Sequence, residues 1–313
     1  MSFEALKNKI KAWLKLARPH FYPLSLVSYT IGAASANKIT DKFDLAVYLN
    51  GFTCVFLIEL GTVFCNEYFD YPTDRLNKNA SLFTGGSRML VNGKIQPSEI
   101  KTAILIITGL LPVFGYLLLR VSLDISKTFI IVMLFLGVFL GYGYTIPPLK
   151  LSYRGAGEIT VAFTYGPYLI LLGYVLQTNS WNNGLIWLIS IPLFLAILPS
   201  IILAGIPDRI SDKLVSKRTL SVIAGPKGAS IAAVCLVFLA AISGILLFFW
   251  TMDSTILRIT LLFIPAHAII LALAVFKFIR SRNYDIKINT IMILALTYIL
   301  WFGLIPLTYF VWV

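Results

Sequence analysis

The chain has 313 residues, of which 58% are hydrophobic and only 13% charged, with a formal net charge of +12. A single water-soluble core of this length has too little interior to hide so much apolar surface. Composition therefore excludes an ordinary soluble domain and points to one all-α membrane protein, 1–313, in which lipid replaces part of the core.

In chain order, residues 1–18 come first. Lys7, Lys9, Lys11, Lys15 and Arg18 alternate with Phe3, Leu6, Ile10, Trp13 and Leu14. That pattern predicts a basic amphipathic helix lying on the membrane surface, unlike the short apolar core of a cleaved signal. Nine apolar spans follow, at roughly 20–37, 45–65, 98–119, 127–145, 157–177, 184–205, 229–250, 255–276 and 288–311. Each is long enough to cross a ~30 Å hydrocarbon layer. Cys54, Cys65 and Cys235 fall within these spans or at their ends, and no CxxC occurs. They are expected to be buried thiols without a disulfide or zinc site. His20 and His267 stand alone and make no metal constellation.

Charge sets the expected orientation. With the N-terminus inside, 21 of the 26 Lys and Arg fall on the inner side. Only Lys38, Lys42, Arg120, Lys127 and Arg258 fall outside. The positive-inside rule then predicts a multi-pass protein of the cell membrane, with a cytoplasmic N-terminus and Val313 outside. Trp181, Trp250 and Trp312 would form the outer aromatic belt. The basic excess is thus accounted for mainly by topology, with some left for an anionic ligand and none needed for nucleic acid.

Two acidic clusters punctuate this pattern. Asn66, Asp70 and Asp74 are spaced by four after the second span, and Asp208 and Asp212 by four after the sixth. Residues four apart share a helix face, although Pro72 should break the first helix between Asp70 and Asp74. The clusters lie four spans apart, which suggests two four-helix pseudo-repeats and a ninth helix around a central cavity, capped by cytoplasmic loops. Four carboxylates on one side of a membrane repel one another unless cations join them. Carboxylate oxygens are the ligands Mg²⁺ takes, usually together with substrate phosphates. Two Mg²⁺ and a diphosphate would still call for basic partners, and Arg88, Lys150, Arg154, Lys217 and Arg218 all lie on the same predicted side. Gly85, Gly86 and Ser87 are a candidate backbone nest for phosphate oxygens.

Other residues carry two readings. Glu59, within the second span and seven residues before Asn66, either lines the cavity and touches an acceptor or is a protonated or hydrogen-bonded structural acid. Glu158 opens the fifth span, where an acid meets the helix N-terminus favourably. Tyr144 is a candidate to face a developing cation with its ring. Glu67, beside Asn66, is expected to face solvent.

The sequence resembles the UbiA superfamily of intramembrane prenyltransferases. The resemblance rests on Asn66-x-x-x-Asp70-x-x-x-Asp74, on Asp208-x-x-x-Asp212 followed by Lys217-Arg218-Thr219-Leu220, and on Arg18-Pro19. It covers nearly the whole chain. Tyr144–Pro148 and Arg154–Glu158 look most like the menaquinone branch, the 1,4-dihydroxy-2-naphthoate polyprenyltransferases. The resemblance implies ionisation of a prenyl diphosphate with Mg²⁺, attack by an aromatic quinone precursor, and metal ligation by Asn66, Asp70, Asp74, Asp208 and Asp212. It leaves Arg88, Lys150, Lys217 and Arg218 as candidates for the diphosphate, and Tyr144, Arg154 and Glu59 for the acceptor or the cation. A non-aromatic acceptor or a terpene cyclase would use the same metal motifs. A transporter fits less well, because its site belongs at mid-membrane on broken helices, whereas both clusters here lie at the inner ends of spans.

Overall fold

Helix α1 (Phe3–Ala17) carries apolar residues on two faces. Trp13, Ala12 and Leu16 pack on Phe64, Met89, Ile95 and Ile100. Phe3, Leu6, Ile10 and Leu14 stay exposed, which suits a helix embedded sideways in an interface. Lys9 holds it against the bundle, with Nζ 2.6 Å from Glu99. The structure, a computed structural model, describes residues 3–81, 83–284 and 286–312; Val313 lies outside the described residues.

The remaining elements are helical. They are α2 (Tyr22–Thr40), α3 (Leu45–Phe69), the short α4 (Tyr71–Leu76), α5 (Pro97–Val121) and α6 (Lys127–Tyr142). Next, α7 (Gly157–Phe163) continues through a π-helical turn (Thr164–Tyr168) into α8 (Leu169–Thr178). Then come α9 (Gly184–Leu214), α10 (Leu220–Ile223), α11 (Gly225–Thr251), α12 (Thr255–Thr260), α13 (Phe263–Ser281) and α14 (Asn289–Trp312). Local chemistry sets several starts. Asp44 caps α3 by accepting from Val47 N at 3.0 Å, Asn183 caps α9 through Leu185 N, and Pro97 opens α5 where its missing N–H costs nothing.

Among the described residues, seven helical segments are long and apolar enough to cross a membrane. Lys127–Tyr142 is apolar but shorter, and Tyr22–Thr40 stands at the place of the first expected span. The fold is all-α, as expected. The pairings echo the four-span repeat, with α3 packed on α5 as α9 packs on α11, while α14 closes the ring against α2 and α9. Of the three cysteines, Cys54 and Cys65 are buried, but Cys235 is exposed. The expectation of a third buried thiol fails because residue 235 falls on the outward face of α11, where a small apolar side chain meets lipid without penalty.

The tightest crossing joins α2 to α8. A Cβ at Gly32 would collide with the Ile170 carbonyl, and one at Gly173 with the Tyr29 carbonyl. The two backbones therefore touch through reciprocal glycine notches, the small-residue contact that lets membrane helices pack closely. Gly173→Leu should force them apart. Overpacking of this kind costs about 1–3 kcal/mol or more, so thermal unfolding in detergent is expected at a clearly lower temperature than for the wild type. An unchanged midpoint would mean the crossing is not held at this contact.

Candidate active site

The helix break at Pro72 shapes the first cluster. Helix α3 ends at Phe69, Asp70 caps it, and α4 restarts with Pro72 in its first turn. Asn66 and Asp70 thus sit at the end of one helix, and Asp74 reaches the same space from another. The second cluster lies differently from the expected cap loop. Asp208 and Asp212 are on the last turns of α9, which runs to Leu214 instead of ending near residue 205. Polar residues near a helix end weaken a hydropathy signal without ending the helix.

Both clusters line one cavity of about 590 Å³, within the range of small-molecule sites. Asp70, Asp208, Asp212 and Asn66 have named partners. Asp70 Oδ1 accepts from Tyr153 Oη at 2.9 Å, and its Oδ2 is 3.0 Å from Lys217 Nζ. Lys217 Nζ is also 3.8 Å from Asp212 Oδ1, so one ammonium bridges the two clusters. Asp208 accepts from Asn77 Nδ2 at 2.7 Å and from Gly85 N at 3.2 Å. Asn66 Oδ1 accepts from Thr145 Oγ1 at 2.9 Å.

The loop after α4 closes over these groups. Gly85 and Gly86 have φ of +73° and +74°, open to glycine without strain. A Cβ at Gly86 would strike the Asp74 carboxylate, so the bare backbone makes room for it. The N–H groups of this loop are not a free phosphate nest, because Gly85 N points to Asp208 and Ser87 N donates to Glu67 at 2.7 Å.

Glu67 itself is a correction. It does not face solvent; it is 2% exposed. It pairs with the Arg18 guanidinium and accepts a second bond from Ser87 Oγ at 2.6 Å. Its partners lie far away in sequence and replace the water it would otherwise need. Arg18 also lines the cavity, so the residue after α1 belongs to the site. Sequence reasoning noted Arg18-Pro19 only as a family feature and passed over Asn77 and Tyr153 altogether.

The electrostatics follow from crowding. Burial first, then Glu67 and Asp70 nearby, push the Asp74 carboxyl up to about 8. Burial also works against the Lys217 ammonium, but Asp70 and Asp212 outweigh it and hold the lysine above its ordinary range. Burial and the adjacent Asp70 push Tyr153 up to about 12. Carboxylates this close are difficult to ionise together, and a divalent cation among their oxygens would remove that conflict. The donor set therefore fits a hard cation, although among the described residues no three carboxylates are already drawn into a closed metal cage.

The basic candidates separate. Lys217 lines the cavity and is buried. Arg88, Lys150, Arg154 and Arg218 do not line it. Arg88 donates to the Asp74 carbonyl and Arg154 to the Pro148 carbonyl at 2.7 Å. Lys150 Nζ lies 4.6 Å from the centre of the Tyr153 ring, and Lys217 Nζ lies 4.7 Å from it. Arg218 is exposed. Glu158 keeps a structural partner, accepting from Leu220 N at 2.8 Å, which fixes the segment that carries Lys217. Tyr144 and Glu59 both line the cavity.

Below the carboxylates the cavity turns apolar. Leu24 and Val27 of α2 and Leu300 and Leu304 of α14 line that part. Leu300 and Leu304 are also 49% and 46% exposed, and α2 packs on α14 here with Val27 against Gly303.

Comparison with known proteins agrees with this layout. The UbiA prenyltransferase family matches residues 25–292. Over 217 residues the chain is 30% identical to the 1,4-dihydroxy-2-naphthoate octaprenyltransferase of Bacillus subtilis, covering 69% of this chain and 66% of that protein. It is 27% identical over 198 residues to the 2-carboxy-1,4-naphthoquinone phytyltransferase of Synechocystis, covering 62% and 59%. The match thus spans less than two thirds of the length of each of these two relatives. In three dimensions the chain is similar to a UbiA homolog from Archaeoglobus fulgidus bound to DMAPP and Mg²⁺. The TM-score is 0.60 at 18% identity, over 94% of this chain and 98% of the other.

Proposed function

The chain belongs to the UbiA prenyltransferase family, and on that premise we propose that it transfers a prenyl group from a prenyl diphosphate to an aromatic quinone precursor. The acceptor we favour is 1,4-dihydroxy-2-naphthoate or a close relative. One observation carries the reading. Carboxylates of both clusters and Lys217 gather at one end of a cavity whose other end is apolar. That is the shape required by a molecule with a charged head and a long hydrocarbon tail. The Archaeoglobus homolog with its DMAPP and Mg²⁺ and the naphthoate-acting relatives support donor and acceptor respectively.

In this reading Asn66, Asp70, Asp74, Asp208 and Asp212 hold two Mg²⁺. A bound divalent cation would supply positive charge to the departing diphosphate oxygens. Lys217, already fixed by Tyr153, Asp70 and Asp212, holds its ammonium where the same negative charge grows. The Asn77–Gly85–Asp208 contacts keep the loop after α4 over the head group and limit access of water to the allylic carbon. Tyr144 and Tyr165 line the wall and are the rings available to the positive end of the reacting allyl group. Tyr153 fixes Asp70 through its hydroxyl and Lys217 through its ring.

The test is a product screen by mass spectrometry. Purified protein with Mg²⁺ should join prenyl diphosphates of several lengths to dihydroxynaphthoate and release diphosphate. A product formed only with a glycerol phosphate would overturn the acceptor. Neither product nor diphosphate release with any donor would overturn the activity.

The 21-to-5 split of Lys and Arg supports a cytoplasmic site. Single cysteines placed at Lys78 and Lys213, in a background lacking the native three, should resist an impermeant thiol reagent in intact cells. Labelling of one position and not the other would put the two clusters on opposite sides and defeat the shared site.

A further inference from the structure

Glu59 is a carboxylate in the membrane-embedded wall of the cavity, 8% exposed. Its Oε2 accepts from Ser25 Oγ at 2.5 Å and its Oε1 from Tyr165 Oη at 2.6 Å. The three groups come from α3, α2 and the π-helical turn, so tertiary packing fixes the carboxylate in place. An ionised carboxyl group offers about four acceptor positions, and these bonds use two.

Three hydroxyl groups on that wall give their hydrogens to backbone carbonyls. Thr62 Oγ1 donates to Ile58 O, Thr164 Oγ1 to Thr160 O, and Tyr168 Oη to Met133 O. Among the described residues, Arg18 and Lys217 are the Lys and Arg side chains that line the cavity. Both belong to its charged end, Arg18 paired with Glu67 and Lys217 with Asp70. The wall around Glu59 thus presents a hydrogen-bonding carboxyl group and no Lys or Arg of its own.

We propose that Glu59, steadied by Ser25 and Tyr165, recognises the acceptor by taking a hydrogen bond from an aromatic hydroxyl, and so selects hydroxylated rings over phosphate-bearing acceptors. This rests on the prenyl-transfer reading above and names the acceptor chemistry within it. Depth agrees with the assignment. Glu59 is seven residues from Asn66 along α3, about 10 Å at 1.5 Å per residue. The reacting carbons must approach to about 3.5 Å. A ring set against the first carbon of the donor, itself bonded to a diphosphate at the carboxylate end, extends its far hydroxyl toward the level of Glu59. A phosphate at the same place would lose its water with no Lys or Arg of the cavity wall to replace it, since Arg18 and Lys217 are paired at the other end.

The experiment measures binding to the full-length protein in lipid nanodiscs with Mg²⁺ and geranyl thiodiphosphate as an unreactive donor. The acceptor probes are 1,4-dihydroxynaphthalene, its dimethyl ether and glycerol 1-phosphate. Wild-type protein should bind the dihydroxy ring about 10- to 100-fold more tightly than the ether, the range expected for hydrogen bonds to a charged group. Glycerol 1-phosphate should bind more weakly still. Glu59→Gln should shrink the preference for the hydroxyl to a few-fold or less, with donor affinity kept within about two-fold, whereas Glu59→Asp should retain part of the preference. Equal binding of ring and ether to the wild type overturns the proposal without any variant. So does a full preference in Glu59→Gln with donor affinity intact. If the wild type binds no donor analogue at all, the prenyl-transfer reading itself has failed, and the proposal falls with it.

Discussion

Asp70→Asn and Asp208→Asn should each remove prenyl transfer almost completely, by a factor of at least about 10²–10³, while the protein remains folded. Each change keeps the shape of the side chain and removes one negative charge from the end of the cavity that receives the diphosphate. Asn at position 70 retains an oxygen for Tyr153, and Asn at 208 retains one for Asn77 or Gly85. Thermal unfolding should therefore move little for Asp208→Asn, whereas Asp70→Asn also takes the 3.0 Å partner from Lys217 and should melt at a lower temperature while still folding. What is lost is affinity for a hard divalent cation, since a neutral amide oxygen is a poorer ligand than a carboxylate. Excess chelator should reproduce the loss in the wild type, and added Mg²⁺ should restore it. Turnover near the wild-type rate in either variant, or in the presence of chelator, would defeat the two-cluster mechanism.

The second large effect belongs to Lys217. Its ammonium is buried between Asp70 and Asp212, 3.0 and 3.8 Å from their oxygens. Lys217→Met keeps most of the volume and deletes the charge. Removing one member of a buried ion pair typically costs about 3–5 kcal/mol, because the remaining charge is stranded. Stability should fall by roughly that amount in the absence of divalent cations. Mg²⁺ should recover more of it in the variant than it adds to the wild type, since a second source of positive charge then does what the ammonium did. Turnover should still fall by about 10²-fold even with Mg²⁺ saturating, because the cation-facing diphosphate has lost a fixed partner. Lys217→Arg should lie between the two. If Lys217→Met keeps its melting temperature without Mg²⁺, the ion pair contributes little to the fold. If it keeps its turnover as well, Lys217 has no part in the site.

The carboxylate clusters were legible in the sequence because their signal is local. Spacing by four, a helix break at Pro72 and a repeat of four spans are all properties of neighbouring residues. The spans were legible for the same reason, being runs of apolar residues. Other features depend on contacts that no local window contains. Glu67 finds Arg18 49 positions away and Ser87 20 positions away, so its burial could not be read from its polar surroundings. Positive charge on the predicted inner side brought five basic residues into consideration, yet of these five Lys217 alone reaches the cavity wall. The segment after α9 is tied down by Tyr153 O to Arg218 N at 3.1 Å and by Glu158 to Leu220 N at 2.8 Å. Those ties turn Lys217 inward and leave Arg218 outside. The end of α9 was misplaced because charged residues on its last turns look like a loop to a hydropathy window.

The apolar end of the cavity, set among helices long enough to cross a membrane, has a consequence for how rates should be reported. A substrate that enters from the bilayer is drawn from a two-dimensional reservoir, and each buried methylene of its tail holds it there by about 0.8 kcal/mol. The concentration that governs occupancy is then the mole fraction of prenyl diphosphate among the lipids, not its amount per volume of buffer. Adding empty vesicles or detergent micelles at constant total substrate should slow the reaction by surface dilution. Longer tails should show this dilution more strongly, and a short, water-soluble donor should escape it.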